Sequence, residues 1–312
     1  MKKKLGYGLL LLVAVVAIYV VYLGVPRHDY FYERIGELES IADVESRSAD
    51  AIRHSVELVS SSGLVVRLRV VRPLRDGTFP VVLVAGGHRT GKDAVDLAGA
   101  PTNIVYAAID YPYTGNHEPR GFWASIRTVP QIQRAFLDTP PALALANSWL
   151  QQQPWVDKSG VELIGASLGA PFASVAGAID DRFSRLWILH GGGDNVAWVS
   201  HVGRRHVDNE TLRRGIARLA LWLTGSFSFD TPEWIRRVSP RPVIIVSACD
   251  DDYVPREAQD ALLATASSDH VEFVWVDGEH IRTGRAQVLQ TLLDTVFNKI
   301  HADTLPASVN CD

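Results

Sequence analysis

The chain has 312 residues, 47% of them hydrophobic and 21% charged, which is ample for a packed core in one large or two small domains. Its formal net charge of −4 argues against nucleic acid as a main partner. Two cysteines, Cys249 and Cys311, make neither a disulfide framework nor a Cys-x-x-Cys or Cys/His zinc cluster.

Lys2, Lys3 and Lys4 precede an uncharged run from Leu5 to Val25. At a rise of ~1.5 Å per residue, a helix of that length matches a ~30 Å hydrocarbon core. Residues 1–4 are then a cytoplasmic basic segment and 5–25 a transmembrane signal anchor. Such an anchor makes a single-pass membrane protein with the rest of the chain on the extracytoplasmic side. The alternative is a cleaved signal and secretion. A signal peptide has a shorter apolar core of ~7–15 residues and a small-x-small cleavage site, and Tyr22-Leu23-Gly24-Val25-Pro26 is a poor match to one. Residues 26–50 are polar with weak helical periodicity and read as a juxtamembrane spacer able to dock on the domain.

From residue 51 the periodicity changes. Ile52–Val59 and Leu64–Val71 alternate around the turn Ser60-Ser61-Ser62-Gly63 and predict a hairpin. Pro80–Ala85 and Asn103–Asp110 are continuous apolar runs, as in strands buried on both faces. Further strands are predicted at Leu163–Gly165, Leu186–Leu189, Val243–Ser247 and Val271–Val276. Helices are predicted at Pro141–Gln153, Leu168–Ala178, Glu257–Ala266 and Arg282–Ile300. A hairpin followed by alternating strand and helix implies an α/β sheet, parallel over most of its width.

Gly165-Ala166-Ser167-Leu168-Gly169 joins a predicted strand to a predicted helix, the context a nucleophile elbow requires. Three further stretches follow strands: Ala85-Gly86-Gly87-His88, Cys249-Asp250-Asp251-Asp252-Tyr253-Val254-Pro255, and Asp277-Gly278-Glu279-His280. A fourth, Asp110-Tyr111-Pro112-Tyr113-Thr114-Gly115, reads as a loop tied down by Asp110. With these motifs in this order, residues 51–300 resemble the α/β-hydrolase superfamily, closest to its dienelactone hydrolase-like and esterase branch. The resemblance implies an α/β-hydrolase fold: a mostly parallel central sheet flanked by helices, with a helical lid insertion at about 195–240. Residues 301–312 are a C-terminal tail.

The resemblance implies a catalytic triad of Ser167, Asp251 and His280, in the Ser…Asp…His order of the fold. Asp194, Asp250 and Asp252 are the alternative acids. It implies an oxyanion hole from the backbone of Leu168 and of Gly87, with His88 the alternative to Gly87. The chemistry is hydrolysis of a small-molecule ester or acyl substrate and needs no metal or cofactor. Acyl transfer, thioester cleavage and a silent binding protein are the rival readings. The lid carries Trp198, Trp222, Phe227, Phe229 and Trp234, which are read as divided between packing on the sheet and an apolar acyl pocket, with the lid arginines on a solvated face. Phe122 and Trp123 are further candidates to line the site.

Overall fold

A computed structural model describes residues 27–87, 90–115 and 122–311, together with Tyr7, Val13, Ala14, Val15, Ala17, Ile18, Val21, Tyr22 and Val25. Side chains of residues 122–126 are excluded from this description. Most of the expected anchor, 5–25, therefore lies outside the described residues, as does His88. Among the described residues, no helix is long and apolar enough to cross a membrane.

One nine-stranded sheet organises the chain. Its strands are β1 (Leu38–Arg47), β2 (Ile52–Ser60), β3 (Val65–Arg72), β4 (Phe79–Ala85), β5 (Val105–Ile109), β6 (Val156–Ala166), β7 (Phe183–Leu189), β8 (Val243–Ala248) and β9 (Val271–Val276). They lie in the order β1-β2-β3-β5-β4-β6-β7-β8-β9. The first three are antiparallel neighbours, β3 is antiparallel to β5, and every pair from β5 to β9 is parallel. The predicted hairpin is β2–β3, and the apolar runs are the central strands.

Helices cover both faces, as a parallel sheet demands. They are α1 (His28–Ile35), α2 (Phe122–Leu150), α3 (Gly169–Ile179), α4 (Asn195–Val202), α5 (Glu210–Leu223), α6 (Thr231–Val238), α7 (Arg256–Leu263) and α8 (Ala286–Ala302). Because side chains alternate along a strand, β4 sends Val81, Leu83 and Ala85 into one core with Leu143, Ala146, Ala173 and Ile235. It sends Val82 to the other, with Ile164, Ile244, Leu292 and Val296. The lid segment forms α4, α5 and α6 between β7 and β8.

Three expectations need correction. Residues 26–50 are not a bare spacer: they form α1 and the edge strand β1. Phe31 of α1 is fully buried among Phe172, Phe229 and Trp234, and Arg34 makes a two-pronged bond to buried Asp138, at 2.9 and 3.0 Å. Helix α2 starts well before Pro141 and runs through Pro130, Pro140 and Pro141. The cysteines, expected to stay apart, form the disulfide Cys249–Cys311. It fastens the tail, where Val309 donates to the Trp275 carbonyl and Ser308 Oγ accepts from the Trp275 N–H.

Candidate active site

Ser167, His190, Asp251 and His280 all follow the C-terminal ends of parallel strands, where open α/β sheets place their ligands. Ser167 sits between β6 and α3 with φ 51°. That left-handed backbone is strained for a side chain with a Cβ and recurs at functional turns. Two bonds hold it: its N–H donates to Leu189 O and its carbonyl accepts from the Ala170 N–H, both at 2.9 Å. The flanking glycines are sterically required. A Cβ on Gly165 would lie 2.7 Å from Ala173 Cβ, and one on Gly169 would collide with the Ala85 carbonyl oxygen.

The structure brings the three expected side chains together. Ser167 Oγ lies 2.8 Å from His280 Nε2, and His280 Nδ1 lies 2.7 Å from Asp251 Oδ2. Asp251 Oδ1 accepts the backbone N–H groups of Tyr253 (2.8 Å) and Val254 (2.6 Å). These bonds hold the carboxylate in place. A carboxylate on Nδ1 fixes that nitrogen as the N–H and leaves Nε2 to accept from the serine hydroxyl.

The alternative acids have other partners. Asp194 caps α4 by accepting the Ala197 N–H at 2.9 Å. Asp252 pairs with Arg282 and Arg285. Asp250 is exposed.

Gly87 lies beside Ser167, where a Cβ would come 3.6 Å from Ser167 Cβ. Gly87 and Leu168 line the same cavity as Ser167 and His280. The Tyr111 hydroxyl donates to the Gly86 carbonyl. In a trans peptide C=O and N–H point oppositely, so this bond also sets the direction of the Gly87 N–H. Asp110 accepts the Lys92 backbone N–H at 3.0 Å and pairs with its ammonium, tying down the short 3-10 helix Gly91–Ala98.

His190 and Tyr253 were not singled out in the sequence. His190 is buried, has φ 52° and packs its ring 5.9 Å from that of His280. Burial pulls its pKa down to about 4. Its Nδ1 accepts the Ile281 N–H at 3.0 Å, so the neutral ring carries its proton on Nε2. The Tyr253 ring lies 5.0 Å from that of His280. A lone histidine ahead of three glycines and a tyrosine behind three aspartates carry no periodicity, so sequence offers no signal for either.

Among the described residues, His190, Asp251 and His280 form one group close enough to share a cation, their ligand atoms within 4.8 Å of one another. Both ring nitrogens of His280 and both oxygens of Asp251 are already committed, as is His190 Nδ1. The donor set fits a hydrogen-bond relay better than a metal cage.

Of the aromatics expected in the pocket, Trp198 and Phe229 line the cavity. Trp234 is instead fully buried, its indole N–H donating to Ser228 O at 2.8 Å. Phe227 is exposed and Trp222 does not line the cavity. Phe122 and Trp123 fall among the side chains outside the description. The lid arginines are paired locally, as Arg214 with Glu210 and Glu257 and Arg237 with Glu233. The arginine that reaches the cavity is Arg282.

No protein-family model matches the chain, and no curated protein matches it in sequence. Its fold does match solved structures. An acetyl xylan esterase from Paenibacillus sp. superposes with TM-score 0.62 at 14% identity, over 86% of this chain and 92% of that one. Acetyl xylan esterase 1 from Thermoanaerobacterium sp. gives 0.58 at 15%, over 86% and 94%. A cold-adapted esterase from an Arctic intertidal metagenomic library gives 0.55 at 16%, over 82% and 99%. The chain thus shares the α/β fold, with its mostly parallel central sheet, of proteins described as esterases.

Proposed function

We propose that this chain is a serine hydrolase that cleaves carboxylic esters through an acyl-enzyme, and that its N-terminal segment anchors it in a membrane. One observation carries the chemistry: the relay Ser167 Oγ–His280–Asp251, with links of 2.8 and 2.7 Å, opening onto an apolar cavity. The esterase names of the structural neighbours add support at the level of reaction class.

In this reading His280 takes the proton from Ser167 as its oxygen attacks the ester carbonyl. Asp251 holds the imidazole in the Nδ1–H tautomer and stabilises the imidazolium that forms. The N–H groups of Gly87 and Leu168 receive the oxyanion; loss of one such donor raises the barrier by ~3–4 kcal/mol. His280 then protonates the leaving alcohol. A water, deprotonated by the same nitrogen, attacks the acyl-enzyme and releases the acid.

The anchor rests on sequence: three lysines followed by an uncharged run of membrane-spanning length. The Cys249–Cys311 disulfide adds an independent argument for an extracytoplasmic domain, since such bonds persist in oxidising compartments.

The test is labelling by a fluorophosphonate, with hydrolysis of p-nitrophenyl butyrate measured alongside. Wild type should label and turn over, and Ser167→Ala should do neither. Equal rates for the two proteins would remove the proposal. Resistance of the membrane-bound protein to carbonate extraction tests the anchor.

A further inference from the structure

The cavity at Ser167 encloses about 680 Å³, which is large for a site that handles a two-carbon acyl group. Its lining divides by element. On one side are the lid residues Trp198, Leu221 and Phe229, with the polar groups of Asn195, Thr224 and Ser226. On the other, the cavity passes between the sheet and α8. Its walls there are Val82 and Val84 of β4, Ile164 of β6, and Leu292, Val296 and Phe297 of α8.

That second part is a slot with two matched walls. Val82 and Val84 of β4 and Gly86 just beyond it all line the cavity, and four residues at ~3.3 Å each span ~13 Å from Gly86 down to Val82. On α8, Leu289, Leu292, Leu293, Val296 and Phe297 recur at helical spacing, and eight residues at ~1.5 Å span ~12 Å. Beside it the short 3-10 helix Gly91–Ala98 adds Ala94, Val95, Leu97 and Ala98, all apolar, to the wall. Among the described residues lining the cavity, none is acidic and Arg282 is the sole Lys or Arg. A sugar chain or other polyol laid in the slot would lose its hydrogen bonds to water and regain few. A hydrocarbon chain would lose nothing.

We infer that this slot is the acyl-chain site and that the substrate class is an ester of a medium- to long-chain fatty acid. With C–C bonds of ~1.5 Å in a zigzag, each carbon advances ~1.3 Å, so the slot takes about ten carbons. The alcohol part of the ester leaves through the lid side, where the polar groups lie. The inference rests on the proposed chemistry at Ser167.

The experiment has two arms, both on the full chain in a sterol-type detergent that does not mimic an acyl chain. In the first, p-nitrophenyl esters from acetate to palmitate are hydrolysed. A buried methylene favours binding roughly fourfold. The ratio of kcat/KM for decanoate over acetate should therefore exceed about a hundredfold, with a fall beyond the slot's length. Val296→Trp, and Ala98→Phe at a half-buried position that tolerates bulk better, should each lower the decanoate-to-butyrate ratio at least tenfold. In the second arm, binding of decanoate and butyrate to Ser167→Ala is measured by calorimetry. Decanoate should bind and butyrate should not, and Val296→Trp in that background should weaken decanoate at least tenfold. Hydrolysis that is indifferent to chain length, with no decanoate binding, overturns the slot and leaves the serine chemistry standing. Decanoate binding by a protein that hydrolyses no ester upholds the slot and removes the proposed reaction.

Discussion

Ile281 donates its backbone N–H to Nδ1 of His190 at 3.0 Å, across 91 residues of sequence. The residue next to the proposed base is thereby pinned to the end of β7. The bond needs His190 unprotonated at Nδ1, and burial enforces this by lowering its pKa from 6.5 to about 4. A neutral ring there also spares His280 a like charge when it becomes an imidazolium. The unfolded chain binds this proton near pH 6.5 and the folded chain only near pH 4. Stability is therefore unaffected above pH 6.5 and falls as pH drops from 6.5 towards 4, by about 3 kcal/mol from this group. His190→Asn tolerates the left-handed backbone and keeps an acceptor near the place of Nδ1. Urea unfolding at pH 7.5 and 4.5 should show a smaller acid loss in this variant than in wild type. Equal losses would clear His190 of the effect.

Three aspartates in a row leave the acid open on sequence, and the contacts separate them. Asp251→Asn should lower kcat about 10⁴-fold by admitting the wrong imidazole tautomer. Asp252→Asn, which breaks exposed pairs with Arg282 and Arg285, should stay within about threefold, as weak surface pairs do. Asp194→Asn alters an N-cap and should shift stability by no more than ~1 kcal/mol. Ester kinetics on the three proteins would decide, and a large kcat loss in Asp252→Asn would reassign the acid.

The strands that build the site were legible because their hydrophobic runs are unbroken. Val271–Val276 was read to the residue, and Val243–Ser247 to within one. The elbow was legible because Gly165 and Gly169 have no room for a Cβ, so chemistry and sterics leave the same trace. Strand β1 was not. Its sequence, Leu-Glu-Ser-Ile-Ala-Asp-Val-Glu-Ser-Arg, is exposed at all but its first residue, so no buried face imposes a period of two. Helix α2, predicted from Pro141, begins 19 residues earlier at Phe122. The preceding turns form anyway, with the Thr139 hydroxyl donating to Ala135 O at 2.7 Å. Sequence could not divide the lid aromatics between pocket and packing, because hydrophobicity marks burial, not which cavity is lined: Trp198 and Phe229 line the cavity, while Trp234 fills a core beneath α1.

Helix α1 belongs to the domain, with consequences for truncation. A chain starting at residue 27 retains Phe31 in its socket and Arg34 on Asp138. A chain starting at residue 51 exposes that socket and the long edge of β2, an invitation to aggregate. The first should be monodisperse in size-exclusion chromatography once free of the apolar run, and the second should not. Arg34→Met removes the ion pair together with the bond Arg34 donates to the Ser62 carbonyl. It leaves buried Asp138 with the Tyr30 hydroxyl and the distant Arg134, at 3.6 Å, and should cost about 3 kcal/mol in urea unfolding.

The disulfide closes a stretch of 62 residues that contains the acid loop and the histidine loop. Cys311→Ser should lower stability by about 2–4 kcal/mol while leaving the Ser167–His280 geometry intact. Thiol titration of the unfolded wild-type protein should find no free cysteine, and the variant one. Two free thiols in wild type would refute the bond.

Tyr111 fixes the turn at Gly86–Gly87, the proposed oxyanion turn, from outside the reaction. Its hydroxyl donates to the Gly86 carbonyl, and burial raises its pKa well above the ordinary tyrosine value, so it remains a donor across the working pH range. Tyr111→Phe leaves the ring packed against Phe172 but frees the peptide whose N–H is proposed to face the oxyanion. A donor that rotates out of line forfeits part of the ~3–4 kcal/mol such a group supplies. Turnover should fall about tenfold with KM little changed, because the ground-state ester makes weaker use of that N–H than the tetrahedral intermediate does. A merely structural tyrosine would show lower thermal stability with kcat intact, and that outcome would detach Tyr111 from the oxyanion turn.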